Sequence, residues 1–386
     1  MAKRETKSKL PKGITFRESK GLYMWRFQHN GTPYCGYCKT LTEAKEALED
    51  MKYEVKHGMK GKEKKDTLDA WFEEWLDTYK SGCKESTLNF YRNVYRRYIS
   101  PVFGKSKVKD LKTTQIQRFT NHMAKNYSKT TASTVNFLLF DCLKQAKQLH
   151  MINANPMSDT SVPRFKPQER KKALTSEQVM QFMDYAKANK CSYYPIYRML
   201  SLTGCRIGEI LGLEWDNVDF DAESIYIKQT LIYMPSTGFY FDEPKSDAGK
   251  RRIRMKKGGE LYNLLKARRV EQLEQRLKAH GYWKPLKGFE NLVFTTEVGT
   301  PHHDTNVRKR MKVLIERMRE QGYDIPDFTP HTLRHCYATR ALENGMQPKT
   351  LQKVLGHSTF QTTMDLYADC MDSTINDEMD MIAKAL

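Results

Sequence analysis

TGCRIGEILGLEW, Thr203 to Trp215, lies where the chain changes its hydrophobic period, and the architecture can be read outward from it. Upstream, Thr175-Ser176-Glu177-Gln178 is a capping box, the signature of a helix start, and it opens a helical segment. Downstream, Ser224 to Met255 reads as strands, and helical spacing returns from about Gly258 to the end. These three stretches make one mixed α+β domain over residues 173–386. A stretch rich in Pro and basic residues, Ser158 to Lys172, has no periodicity, and the interdomain linker is placed at 161–172.

Before the linker the pattern is helical. Leu68, Trp71, Phe72 and Trp75 fall at i, i+3, i+4 and i+7, the spacing of one buried face. Ser86-Thr87 is a cap for the next helix, Pro101 to Gly104 a break, and Thr113-Thr114 and Thr131 the starts of two more. Residues 66–160 are thus expected to be a compact domain of about four helices. Earlier still the period is two. Ile14 and Phe16, Tyr23 to Phe27, and Tyr34 to Lys39 alternate, separated by turn residues that include Asn30-Gly31, a strong hairpin signal. A helix from Thr42 through Tyr53 completes a small domain within residues 1–65, which ends in the solvated run GMKGKEKK. The expected fold is mainly α with small β elements, in three domains.

Composition bounds the partners. Apolar residues make up 39% of the 386, enough to bury a sizeable core and to exclude wholesale disorder. Lys and Arg number 65 against 46 Asp and Glu, a formal net charge of +19 that favours a polyanion, nucleic acid first. The first 65 residues carry 16 basic and 8 acidic side chains. No apolar run approaches the ~18 residues of a membrane span, and no apolar signal segment follows Met1. Eight scattered cysteines suit a reducing compartment, so the expected location is cytoplasmic with no membrane partner.

Four fragments carry the chemistry: Thr203 to Trp215, EPKSDAGKRRI at Glu243 to Ile253, HTLRHCYAT at His331 to Thr339, and LGHSTFQTTMDLY at Leu355 to Tyr367. Singly, each has an ordinary reading: a surface salt bridge for Arg206, a helix start for His331 and Arg334, a core ring for Tyr367. Together, two arginines, two histidines, a lysine and a tyrosine are what phosphoryl transfer to a protein nucleophile requires. Guanidinium forks neutralise the oxygens of a phosphodiester transition state with bidentate geometry. A phenol can serve as covalent nucleophile and a lysine can protonate the leaving oxygen.

In this order and separation the fragments resemble the tyrosine recombinase family, the phage-type integrases, and in particular the integrases of conjugative transposons and temperate phages. The resemblance implies a site-specific recombinase that cuts and rejoins DNA through a 3′-phosphotyrosyl intermediate, integrating and excising a mobile element. By the same resemblance Arg206 and Arg334 grip the scissile phosphate, and Lys245, on a β-hairpin, is the general acid. His331 opens the His-x-x-Arg pair, His357 hydrogen-bonds the phosphate, Glu209 is an acidic support, and Tyr367 is the nucleophile. Cys205, where the family often has a larger apolar residue, is expected to be a packing variation.

The resemblance extends to the first two domains, an arm-binding sheet and a core-binding domain. Lys3, Arg4, Lys7, Lys9, Arg17 and Arg26 are the expected arm contacts, with the strand face left open. The implied partners are double-stranded DNA at core and arm sites, further copies of the chain as a homotetramer on DNA, and a small basic excision factor. No cofactor and no metal is implied. Competing readings are a carboxylate metal site at Glu214, Asp216, Asp219 and Asp221, a zinc site on Cys35 and Cys38 near His29, a non-catalytic DNA-binding regulator, and a type IB topoisomerase. Asp365 to Leu386 holds six acids and one lysine, with Ile375, Met379, Ile382 and Leu386 on one helical face. This apolar stripe on an acidic tail is expected to dock on protein, in cis or on a neighbouring copy.

Overall fold

A computed structural model describes residues 10–18, 20–29, 32–56, 67–163, 165, 174–244 and 247–364. The expectations for Lys3, Arg4, Lys7, Lys9, Lys245, Tyr367 and the acidic tail fall outside these residues. The chain divides into two units, residues 1–168 and 169–386.

The first unit opens with an antiparallel sheet, β1 (Ile14–Arg17), β2 (Leu22–His29) and β3 (Thr32–Cys38), in that spatial order. Helix α1 (Leu41–Lys56) lies against it. Ile14 is paired with Trp25, and both pack on Ala44 and Leu48 of α1, so one sheet face is covered. Alternation of side chains along a strand then puts Arg17 and Arg26 on the opposite, open face, and both are exposed. Arg26 stands opposite Cys35, which shares that face, whereas Cys38 packs toward α1. The odd spacing of Cys35 and Cys38 therefore sends the two thiols to opposite sides of the sheet.

A separate apolar core belongs to the helices that follow: α2 (Leu68–Tyr79), α3 (Glu85–Val94), α4 (Ser100–Phe103), α5 (Thr113–Asn126) and α6 (Lys129–Gln148). Leu68, Trp71, Phe72 and Trp75 form the buried face that their spacing predicts, with Leu76. Two details differ from expectation. Lys84 is the N-cap of α3, so Ser86 and Thr87 sit inside its first turn. Pro101 does not break the chain's helical path, because a π-helical turn at Tyr95–Ile99 carries α3 into α4, where Pro101 occupies the first turn and needs no N–H partner. That wide turn is held by Tyr95, which stacks on Phe72 at 3.7 Å and donates to Asp69 Oδ1 at 2.8 Å.

The second unit begins with α7 (Ser176–Ala188), capped as expected by Thr175 and Gln178. It continues through α8 (Tyr194–Thr203) and the short α9 (Ile207–Leu211). Strands β4 (Val218–Asp219) and β5 (Ser224–Ile227) follow, then the hairpin β6 (Thr230–Met234) and β7 (Gly238–Asp242), then β8 (Arg251–Arg254). β4, β5 and β8 form one antiparallel sheet. The helices α10 (Glu260–Ala279), α11 (Asp304–Glu320), α12 (Pro330–Glu343) and α13 (Pro348–Leu355) complete it. One core runs through Phe182, Tyr197, Ile225, Phe294, Met311 and Leu333, all at most 2% exposed, and it anchors α8 and α12 side by side beneath the site.

Candidate active site

Three arginines from separate elements converge on one helix end. Helix C-termini leave their last carbonyls without intrahelical donors and carry partial negative charge. At the end of α13, Val354, Leu355 and Gly356 offer three consecutive carbonyls. Arg251 Nε donates to Val354 O at 2.5 Å, Arg334 Nη2 to Leu355 O at 2.8 Å, and Arg206 Nη2 to Gly356 O at 3.5 Å. Gly356 turns the chain with a left-handed φ of 68°, and a Cβ there would stand 2.9 Å from Ala248 O and 3.0 Å from Arg251 Nη1. Only glycine meets both demands.

Arg206 is the N-cap of α9, where its extended backbone points the guanidinium away from the helix, and its side chain is 43% exposed. Glu209, one turn on, is 3% exposed and closes a local ring. Its Oε2 accepts from the Arg206 backbone N–H at 2.9 Å, and its Oε1 from Arg206 Nη1 at 2.9 Å. Burial by itself would raise the Glu209 carboxyl. Hydrogen bonds and charge from Arg251, with the Arg206 N–H and charge, overcome this and hold it below the usual range.

Arg334 is 3% exposed on α12. Its second fork nitrogen donates to Gly204 O at 2.8 Å, the left-handed cap of α8, where a Cβ would collide with the Tyr337 ring. Among the described residues no carboxylate pairs with this guanidinium. Burial first, and then the charge of Arg206, push it down to about 10, with Glu209 opposing. A desolvated cation held by carbonyls alone is an anion site in waiting.

His331 precedes Arg334 by three residues on α12 and is open to solvent at its edge; its ring meets His335 edge-on at 4.6 Å. His357 follows Gly356 and is 7% exposed, with Nδ1 2.9 Å from Oγ1 of the fully buried Thr363. Both imidazoles are lowered to about 4. Desolvation is the largest cause for each. For His331 it is followed by His335, Arg334 and Arg206, and for His357 by Arg334, Arg206 and Arg251. Burial first, and then neighbouring positive charge, keep both imidazoles from protonating, and the shared contributions of Arg206 and Arg334 mark a pocket of positive potential.

The structure thus brings together Arg206, Glu209, His331, Arg334 and His357 of the expected set. Arg251 was missed, since a run of three cations, Lys250 to Arg252, does not reveal which one is buried. Cys205 does more than fill space: its Sγ accepts from Arg251 Nη2 at 3.3 Å. The acidic run has other uses. Glu214 accepts from Gln229, Asp219 caps its own turn through the N–H groups of Asp221 and Ala222, and half-buried Trp215 donates to Gln272. Among the described residues no group of three or more His, Cys, Asp or Glu is placed to hold a metal ion.

Known proteins resemble this chain in sequence and in fold. The chain is 27% identical over 348 residues to a tyrosine recombinase XerC-like protein of Caldanaerobacter subterraneus subsp. tengcongensis, with 86% of each chain covered. It is 24% identical over 388 residues to the transposase from transposon Tn916 of Enterococcus faecalis, covering 96% of this chain and 90% of that one. In fold it is similar to the Tn1549 transposon integrase, solved in complex with transposon right end DNA, at a TM-score of 0.70 and 24% identity over 82% of this chain and 99% of that one. A lambda integrase tetramer bound to a Holliday junction gives 0.56 at 18% identity, over 91% and 97% of the two chains. Residues 67–124 match the phage integrase N-terminal SAM-like domain, and with residues 172–373 matching the Phage integrase family, the chain belongs to that family.

Proposed function

We propose that the pocket between α9, α12 and the end of α13 holds the scissile phosphate of a DNA duplex. The chain is a tyrosine-type site-specific recombinase that integrates and excises a mobile element. What carries the assignment of the pocket is Arg334, a buried guanidinium with carbonyl partners and no carboxylate among the described residues. Arg206 and Arg334 neutralise the non-bridging oxygens, each worth roughly 3–4 kcal/mol of barrier for a well-placed donor. The Tyr367 oxygen forms a bond to phosphorus as the bond to the 5′ oxygen breaks. His331, neutral before DNA arrives, is available to take the phenol proton, His357 donates to a phosphate oxygen, and Lys245 returns a proton to the leaving 5′ oxygen. Rejoining is the reverse reaction with a 5′ hydroxyl from another strand.

The domain limits proposed are 1–65 for the arm-binding sheet, 66–160 for the core-binding helices, 161–172 for the linker and 173–386 for the catalytic domain. Double-stranded DNA at core and arm sites and three further copies of the chain are the proposed partners. A small basic excision factor is a further one.

The test uses a nicked duplex carrying whatever site the full chain selects from random-sequence DNA. Wild type should give an SDS-resistant adduct, with or without EDTA, and Tyr367→Phe should bind equally and give none. An adduct that persists in Tyr367→Phe overturns the nucleophile. Lys245→Ala should cleave poorly and recover when sulfur replaces the 5′ bridging oxygen, a leaving group that needs no proton. A variant that sulfur does not rescue moves the general acid elsewhere.

A further inference from the structure

Arg251 takes no part in the steps above, yet it makes five hydrogen bonds while only 7% exposed. Nη1 donates to Glu209 Oε1 at 3.3 Å and to Gly249 O at 3.1 Å. Nη2 donates to Glu209 Oε2 at 2.8 Å and to Cys205 Sγ, and Nε to Val354 O. Burying a charge is costly, and a side chain needed only to pack β8 against the core could be apolar. The partners of Arg251 are instead the groups that hold the phosphate-facing residues. Glu209 fixes Arg206 through two hydrogen bonds. Val354 lies in the last turn of α13, three residues before His357 and thirteen before Tyr367.

We propose that Arg251 is a positioning residue for strand cleavage: through Glu209 it sets the aim of Arg206, and through Val354 it fixes the helix end that His357 follows. The inference rests on the recombinase reading. It explains why one carboxylate serves two guanidinium groups. With Arg251 occupying one edge of Glu209, Arg206 keeps a single side-chain hydrogen bond to the carboxylate and one to Gly356 O, and its other donors stay available to a phosphate. Without Arg251, the carboxylate would take the Arg206 fork for itself. A lysine cannot substitute, because one ammonium cannot reach Glu209, Gly249 and Val354 from a single position.

The experiment compares wild type, Arg251→Lys, Arg251→Met, Glu209→Gln and the double variant Arg251→Met/Glu209→Gln on the nicked duplex. Adduct rate, DNA affinity and melting temperature are read for each between pH 5 and 8. Arg251→Met should lose about 100-fold in adduct rate while DNA affinity stays within about threefold. It should also acquire an acid limb absent from wild type. Glu209, faced then by Arg206, Arg334 and the Cys205 thiol but no longer by Arg251, takes up a proton as pH falls. The limb should vanish in the double variant, which has no carboxyl to titrate.

Arg251→Lys should fall between wild type and Arg251→Met in rate. A rate in Arg251→Met within a few-fold of wild type, a rate loss matched by the loss in affinity, or an acid limb that survives Glu209→Gln overturns the proposal. Should Arg251→Met fail to melt cooperatively, Arg251→Lys, which keeps the charge, decides: a wild-type rate there overturns it. No adduct from wild type itself would instead sink the recombinase reading and leave the Arg251 geometry standing.

Discussion

Arg334 enters the core with no carboxylate paired to it among the described residues, and that arrangement sets measurable behaviour at single positions. Arg334→Ala should slow adduct formation by at least about 100-fold, the cost of one well-placed donor to a developing oxyanion. Arg334→Lys should not restore it, because one ammonium cannot span Gly204 O, Leu355 O and a phosphate. An Arg334→Lys protein with wild-type rates would contradict the fork geometry.

The histidines add a pH signature. His302, desolvated and near the charge of Arg268, is also lowered to about 4, as His357 is. Between pH 6.5 and 4 the unfolded chain binds protons at these positions that the folded chain refuses. Stability should therefore fall as pH is lowered through that window, by at most about 1.4 kcal/mol per pH unit for each histidine. Denaturant midpoints at pH 7.5 and 5 check this, and His357→Gln should flatten the dependence. Arg206, Glu209, His331, Arg334 and His357, which the structure brings together, were legible because their fragments make chemical sense only in combination. Burial of Arg251 and the Cys205 contact were not, since both depend on which strand meets which helix end.

Elements were read well where one period dominates. The alternation from Ile14 onward gave three strands, and the spacing of Leu68, Trp71, Phe72 and Trp75 a helix face, because each pattern has one buried side. The π-helical turn at Tyr95–Ile99 was invisible, since Pro101 ordinarily stops a helix and the Phe72–Tyr95 stack that supports the wider turn joins residues far apart in sequence. The open face of the small sheet could not be chosen until α1 was placed on the other. With Arg17 and Arg26 on the open face, replacing both by alanine should reduce the slope of log affinity against log salt by about 0.9 for each phosphate that they neutralise. Binding to an isolated core site should be unaltered. A slope equal to wild type would mean that these two side chains touch no phosphate.

At the scale of the molecule, the family resemblance and the three-domain architecture follow from four short fragments and three changes of period, whereas the way the site is braced emerges only in three dimensions. Among the described residues no helix is long and apolar enough to cross a membrane, and the +19 charge is consistent with a polyanionic partner.

The hydrogen bond between His357 and the fully buried Thr363 has a consequence for which copy of the chain cuts which strand. It pins the segment four residues before Tyr367, and four residues span at most ~14 Å. On the proposed reaction this tether predicts cleavage in cis: the Tyr367 phenol should attack the phosphate gripped by Arg206 and Arg334 of the same copy. Mixing two dead proteins, Tyr367→Phe and Arg334→Ala, should then yield no adduct at any ratio, since neither copy can lend its missing part to the other. Loosening the pin with Thr363→Val should be the change that lets such complementation begin.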